Sequence, residues 1–205
     1  MKRILHLVFA IVCISLFACS KGEADSGCSK EKNTENSIIV LDDGTTIELV
    51  KDWYIVTFPA TRAMARITLP VYYRYTEDHV WVDIRGGVPG LAGQYKIGIT
   101  SKITDWLGDI TFVEHLADPV MELKEGEFFA KIESTSSLCE IKMPWKGALM
   151  EYNPDMDDKP SVLNKDPYDN WMIYGFLMDF VEEQLMDARE YAIYITTGII
   201  PPKRE

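Results

Sequence analysis

Any chemistry in this chain has to come from few residue types. Histidine occurs only at positions 6, 79 and 115. Asp78-His79 sets a carboxylate beside an imidazole, the pairing that can orient a general base, and Glu114-His115 repeats it. The first pair falls at a predicted turn and the second inside a predicted strand, where polar residues need no catalytic reason. A zinc centre needs ligands that converge at suitable spacing, and H-x-x-x-H, H-E-x-x-H and C-x-x-C are all absent. Gly86 to Gly93 (GGVPGLAG) lacks the Lys-Ser/Thr of a phosphate-binding loop and does not fit G-x-G-x-x-G. No G-x-S-x-G elbow exists, and Ser134 to Ser137 read as a turn. Asn153 to Asn164 (NPDMDDKPSVLN) spaces oxygens like a calcium loop, but Asp158 stands where the loop needs glycine and Asn164 where it needs glutamate. We expect no enzyme, no metal and no cofactor.

Binding is the better expectation. Of the five tryptophans, Trp106 and Trp145 are flanked by polar or glycine-containing loops and are the expected partner anchors. Asp155, Asp157 and Asp158 form an acidic loop that a partner could contact. The formal net charge is −11, which disfavours nucleic acid and anionic headgroups and suits a basic protein partner.

Those residues must be positioned by a mostly β framework. SIIVLDDGTTIELV reads as a hairpin about Asp42-Asp43-Gly44, and DWYIVTF as a further strand. ARITLPVYYRYTEDHVWVDIRGG holds two β-rich runs about Thr76-Glu77-Asp78, with Pro70 marking an edge strand or a bulge. Further strands are expected at QYKIGITS, DITFVEHL, PVMEL, EFFAKIES and LCEIKMPW, followed by a loop from Ala148 to Lys165. From Pro167, the spacing of Trp171, Tyr174, Leu177, Met178, Val181, Leu185 and Ala188 predicts an amphipathic helix of about twenty residues. YAIYITTGII then predicts a last strand. The expected class is α+β, mostly antiparallel β as a sheet or sandwich, with one long amphipathic helix near the C-terminus.

The N-terminus reads differently. Lys2 and Arg3 precede an apolar run from Ile4 to Ala18, which at about 1.5 Å per residue is too short to span a bilayer and reads as a signal peptide over residues 1–18. Leu16-Phe17-Ala18-Cys19 resembles the lipobox of bacterial lipoproteins. The resemblance implies diacylglyceration of Cys19, palmitate-bearing attachment to a membrane and, with Ser20 following, an outer-membrane location facing the periplasm. Removing the leader leaves nineteen basic against thirty-two acidic residues. Residues 19–36 are polar and read as a lipidated flexible tether with a reach of about 20–25 Å, and residues 37–205 as one β-rich globular domain. With Cys19 acylated, Cys28 and Cys139 are the pair left for a disulfide.

Val71, Tyr73, Arg74, Asp78 and His79, within LPVYYRYTEDHVWVDIRG, resemble a V-Y-R…D-H pattern of periplasmic immunity lipoproteins. That resemblance implies a non-catalytic binder that blocks a type VI secretion phospholipase effector, a secreted lipase toxin. An envelope-assembly or surface lipoprotein and a small-ligand-binding lipoprotein stay open as alternatives.

Overall fold

Runs of β-branched and aromatic residues, broken by Gly, Asp and Ser turns, fold back on themselves along most of the chain. The computed structural model describes residues 38–59, 66–86, 93–200 and 202. β1 (Ile38–Val40), β2 (Thr46–Val50), β3 (Trp53–Thr57) and β4 (Arg66–Pro70) form a four-stranded meander in that order. Gly44, at φ +83°, makes the β1–β2 turn expected of Asp42-Asp43-Gly44. Pro70 lies on the outer strand, where its missing N–H leaves no ladder bond unmade.

Then follow β5 (Tyr73–Tyr75), β6 (Val80–Asp83), β7 (Gly93–Ile99), the helix α1 (Ser101–Leu107), β8 (Ile110–His115), β9 (Glu122–Leu123), β10 (Phe128–Ser134), β11 (Leu138–Lys142), β12 (Gly147–Tyr152), the single-turn helices α2 (Asp155–Asp158) and α3 (Val162–Lys165), β13 (Ile173–Leu177) and α4 (Ala188–Thr197). Six of these strands pair in the order β5-β6-β7-β13-β12-β9, and three more in the order β11-β10-β8. All these pairings are antiparallel.

Two apolar cores result, and the β5–β6 hairpin belongs to both. Val80 and Val82 join Ile97, Ile99, Ile132 and Leu149 in a core shared by the six- and three-stranded sheets. Tyr73, Tyr75 and Trp81 point the other way, into a core built with Ile47, Val56 and Leu69 of the N-terminal meander and Tyr191 and Ala192 of α4. That is why every residue of β6 is buried, although its sequence alternates. Trp81 stacks on Tyr73 at 4.5 Å and donates its indole N–H to the Pro167 carbonyl at 3.0 Å. Its ring lies over Gly98, where an added Cβ would meet it at 2.4 Å. Buried Asp83 is satisfied by Arg85, whose Nε and Nη2 donate to the two carboxylate oxygens at 2.9 and 2.6 Å.

The C-terminal third reverses the sequence expectation. The segment expected to be a long helix holds β13, a central strand between β7 and β12 whose residues alternate between buried and half-buried. Gly175 sits where an added Cβ would lie 2.4 Å from the Ala148 carbonyl oxygen, a closeness that suits strand packing. The expected terminal strand is instead α4. Asp187 caps it, accepting the Glu190 N–H at 2.8 Å while the Glu190 carboxylate accepts the Asp187 N–H at 2.9 Å, and Gly198 ends it at φ +72°. The expected loop from Ala148 to Lys165 contains most of β12 and both single-turn helices. The leader and tether, with Cys19 and Cys28, and residues 87–92 of the glycine-rich run lie outside the described residues.

Candidate functional site

The two described histidines are structural. His79 sits in the β5–β6 turn at φ +61°, and its Nδ1 lies 2.8 Å from the Tyr191 hydroxyl, which is also 2.9 Å from Thr100 Oγ1. Burial pushes the imidazole pKa below its ordinary value and nearby Lys102 pushes it the same way, against a smaller opposing pull from Asp78. A neutral ring hydrogen-bonded to the Tyr191 hydroxyl therefore latches the hairpin to α4. His115 stacks on Tyr152, with ring centroids 3.6 Å apart, and its Nε2 lies 3.4 Å from Asp157 Oδ1. Among the described residues no three His, Cys, Asp or Glu side chains converge as a metal site.

A groove of about 470 Å³ runs beside the β5–β6 turn, lined by Tyr75, Asp78, Lys142, Glu183 and Met186 among others. Lys142 Nζ lies 3.1 Å from Asp78 Oδ1, so its cation is matched across one wall. None of Trp106, Trp145, Asp155, Asp157 and Asp158 lines the groove.

The structure places those five residues in three separate regions. Trp106 is on α1 and 62% exposed. Trp145 is partly buried, donating its indole N–H to the Met178 carbonyl at 3.0 Å and meeting Phe180 edge to face, which makes it a packing residue. Asp155, Asp157 and Asp158 are exposed on α2. Cys139 carries a free, half-buried thiol whose pKa burial raises.

The feature with the shape of a presented site is the β10–β11 hairpin, read in the sequence only as a turn. Ser134 organises its tip. Its Oγ accepts the N–H groups of Ser136 and Ser137 at 3.3 and 3.0 Å, and its N–H donates to the Ser137 carbonyl at 2.9 Å. Thr135 donates its N–H to the Asp109 carbonyl at 3.2 Å, resting the tip on the α1–β8 connection. Thr135 and Ser136 are the exposed residues of the tip. Strand register places Phe112 and Leu138 on either side of Glu133, and both aromatic and aliphatic side chains are more than half exposed, at 51% and 58%. The signal for them lay in the alternation of β8 and β11, which turns an apolar residue outward on each strand beside the turn.

The site is thus an antiparallel sandwich whose two described histidines are spent on packing and whose β10–β11 tip stands in solvent beside exposed apolar side chains. Residues 73–198 match the model of the family described as "Glycine cleavage H-protein", and the chain belongs to that family. It is 37% identical over 127 residues to the glycine cleavage system H protein of Bacillus subtilis (strain 168), covering 61% of this chain and 94% of that one. It is 35% identical over 123 residues to the probable glycine cleavage system H protein of Thermococcus gammatolerans, covering 59% and 87%. The crystal structure of a glycine cleavage system H protein from Mycobacterium marinum superposes with a TM-score of 0.54 at 30% identity, covering 64% of this chain and all of that one. The meander β1–β4 precedes the matched segment.

The family overturns the reading of an immunity or envelope lipoprotein, and with it the lipase-toxin partner, the membrane anchor and the outer-membrane, periplasmic location. The residues that suggested it are packing residues of the β5–β6 hairpin: Tyr73 under Trp81, Arg74 paired with Glu182 at 3.3 Å, Asp78 with Lys142, and His79 on Tyr191. Among the described residues no helix is long and apolar enough to cross a membrane.

Proposed function

We propose that this chain serves glycine cleavage as a non-catalytic protein that docks with the system's other proteins. The observation supporting this is the family match over residues 73–198, which includes the six- and three-stranded sheets and the β10–β11 tip. The exposed pair Phe112 and Leu138 beside that tip supplies apolar contact area, and Trp106, on the helix leading to Asp109, is a further anchor. The acidic surface suits a partner with a basic rim.

The family implies a lipoyl group, an acyl arm carried as an amide on a lysine ε-amine. A mobile arm needs that amine on a protruding turn. The short hairpin connections of the matched segment, residues 76–79, 84–92 and 135–137, contain no lysine. The lysines flanking them in strands are engaged: Lys131 pairs with Glu114 and Glu133, Lys142 with Asp78, and Lys96 lies 5.5 Å from the Trp171 ring centroid. The hairpin tips, which offer no lysine amine, do not fit the group.

Docking is tested by sedimentation of the full chain with each purified glycine cleavage protein of its own organism. A saturable complex with at least one of them is expected, weakened about tenfold or more by Leu138→Asp, which desolvates a charge at the contact. Absence of a complex with every one of them would refute the reading.

A further inference from the structure

We infer that the β10–β11 tip is the seat for an acyl arm that has lost its acceptor, making this chain a member of its family that docks without carrying. The inference rests on the family reading above and deepens it. Of the tip residues, Ser134 and Ser137 are bound to one another through backbone and hydroxyl, and Thr135 is tied to Asp109 by its N–H. Thr135 and Ser136 are the exposed side chains of the tip, and Ser136, whose N–H is bonded to Ser134 Oγ, is the middle residue of the three that join β10 to β11. A lysine there would project past Phe112 and Leu138 with no carboxylate of the tip itself to hold it. Serine cannot stand in for it. An alcohol is a weak nucleophile unless a base takes its proton, and residues 134–137 contain neither imidazole nor amine.

The other described lysines sit elsewhere, Lys102 on α1. Lys146 Nζ lies 2.6 Å from Asp179 Oδ2, and Lys131 is clamped between two glutamates along the same hairpin. Lys124 opens the turn that links β9 to β10, which belong to different sheets, and its N–H is bound to the Glu127 carboxylate. Lys159 and Lys165 border the single-turn helices. Lys51, in the two-residue β2–β3 turn at φ +56°, lies before the segment shared with the family.

The test is enzymatic lipoylation read by intact mass. In that reaction the lysine nitrogen attacks the acyl carbon of a lipoyl-adenylate, the amide C–N bond forms, AMP leaves with the C–O bonding pair, and the ammonium proton goes to solvent. The full-length wild-type chain is incubated with a lipoate–protein ligase, lipoate and ATP beside the Bacillus subtilis relative. Wild type is expected to keep its mass, and Ser136→Lys to gain a single lipoyl group that peptide mapping places at position 136. Because the substitution sits on an exposed turn, the thermal midpoint should be unchanged, which separates failure to react from failure to fold. Lipoylation of wild type at any lysine, Lys51 and Lys124 included, would overturn the loss of the acceptor. A folded Ser136→Lys that stays unmodified while the relative is lipoylated would overturn the tip as the seat. Sedimentation of the same wild-type sample with the glycine cleavage proteins reports separately on the family role, so the two failures cannot be confused.

Discussion

Two hairpins of the same matched segment are put to opposite uses. The β5–β6 turn is held from three directions: His79 by Tyr191, Asp78 by Lys142, and the Glu77 carbonyl by the Tyr194 hydroxyl at 3.2 Å. Its strands bury side chains on both faces. The β10–β11 turn instead satisfies its polar groups largely within itself and leaves apolar side chains of its neighbourhood in water. A hairpin that buttresses two cores must be bound by the rest of the molecule, whereas a hairpin that presents a surface must be stable without that help.

The difference can be broken first at its strong end. Trp81→Ala removes a fully buried indole, its stack on Tyr73 and its bond to Pro167, and should cost roughly 3–5 kcal/mol in urea unfolding. An unfolding free energy within about 1 kcal/mol of wild type would show that the hairpin is not a shared wall of both cores. Tyr191→Phe keeps the stack on Tyr75 at 4.6 Å but strips the hydroxyl that lies between His79 Nδ1 and Thr100 Oγ1. Leaving those buried groups unmatched should cost about 1–3 kcal/mol in the same measurement. Asp187→Ala, which undoes the capping box of α4, should cost about 1 kcal/mol.

The latch should also respond to acid. His79 has its folded-state pKa lowered by burial, so below the ordinary histidine value the unfolded chain binds the proton more readily than the folded one. Its contribution to stability is present in full above that value, about 6.5, and is lost as the pH falls from there toward the lowered folded pKa. His79→Asn tolerates the left-handed backbone and does not titrate. Thermal midpoints followed from neutral to mildly acidic pH should therefore fall less steeply for the variant than for wild type, and parallel curves would remove His79 from the account.

Much of this framework is legible in the sequence, and the exceptions have one cause. The alternation of Val80 and Val82 against Trp81, the turn glycine at position 44 and the edge proline at position 70 all find their expected places. The last third does not, because β13 is a central strand with one face buried and the other half-buried, so apolar residues fall on both faces and counterfeit a helical period. Gly175 argued against a helix there. So did the acidic pair Glu183 and Asp187 and the late Glu190, each a penalty in the expected helix. In α4 two of them become the cap. The β10–β11 site was visible only as a run of hydroxyl residues, since what distinguishes it is the amine it lacks, and a missing residue acquires meaning only beside proteins that share the scaffold.

The weak end of the comparison gives the smallest effect on stability. Phe112 and Leu138 are more than half exposed and lie beside a turn closed by its own hydroxyls and backbone. Phe112→Ala and Leu138→Ala should each leave the unfolding free energy within about 0.5 kcal/mol of wild type. If the two residues were instead a lightly covered piece of the core, the double variant would unfold at clearly lower urea and would bind its partners no worse per folded molecule. The opposite pattern, unchanged urea midpoints with weakened sedimentation complexes, is expected, because apolar surface that contributes nothing to folding is left free to be buried by a partner.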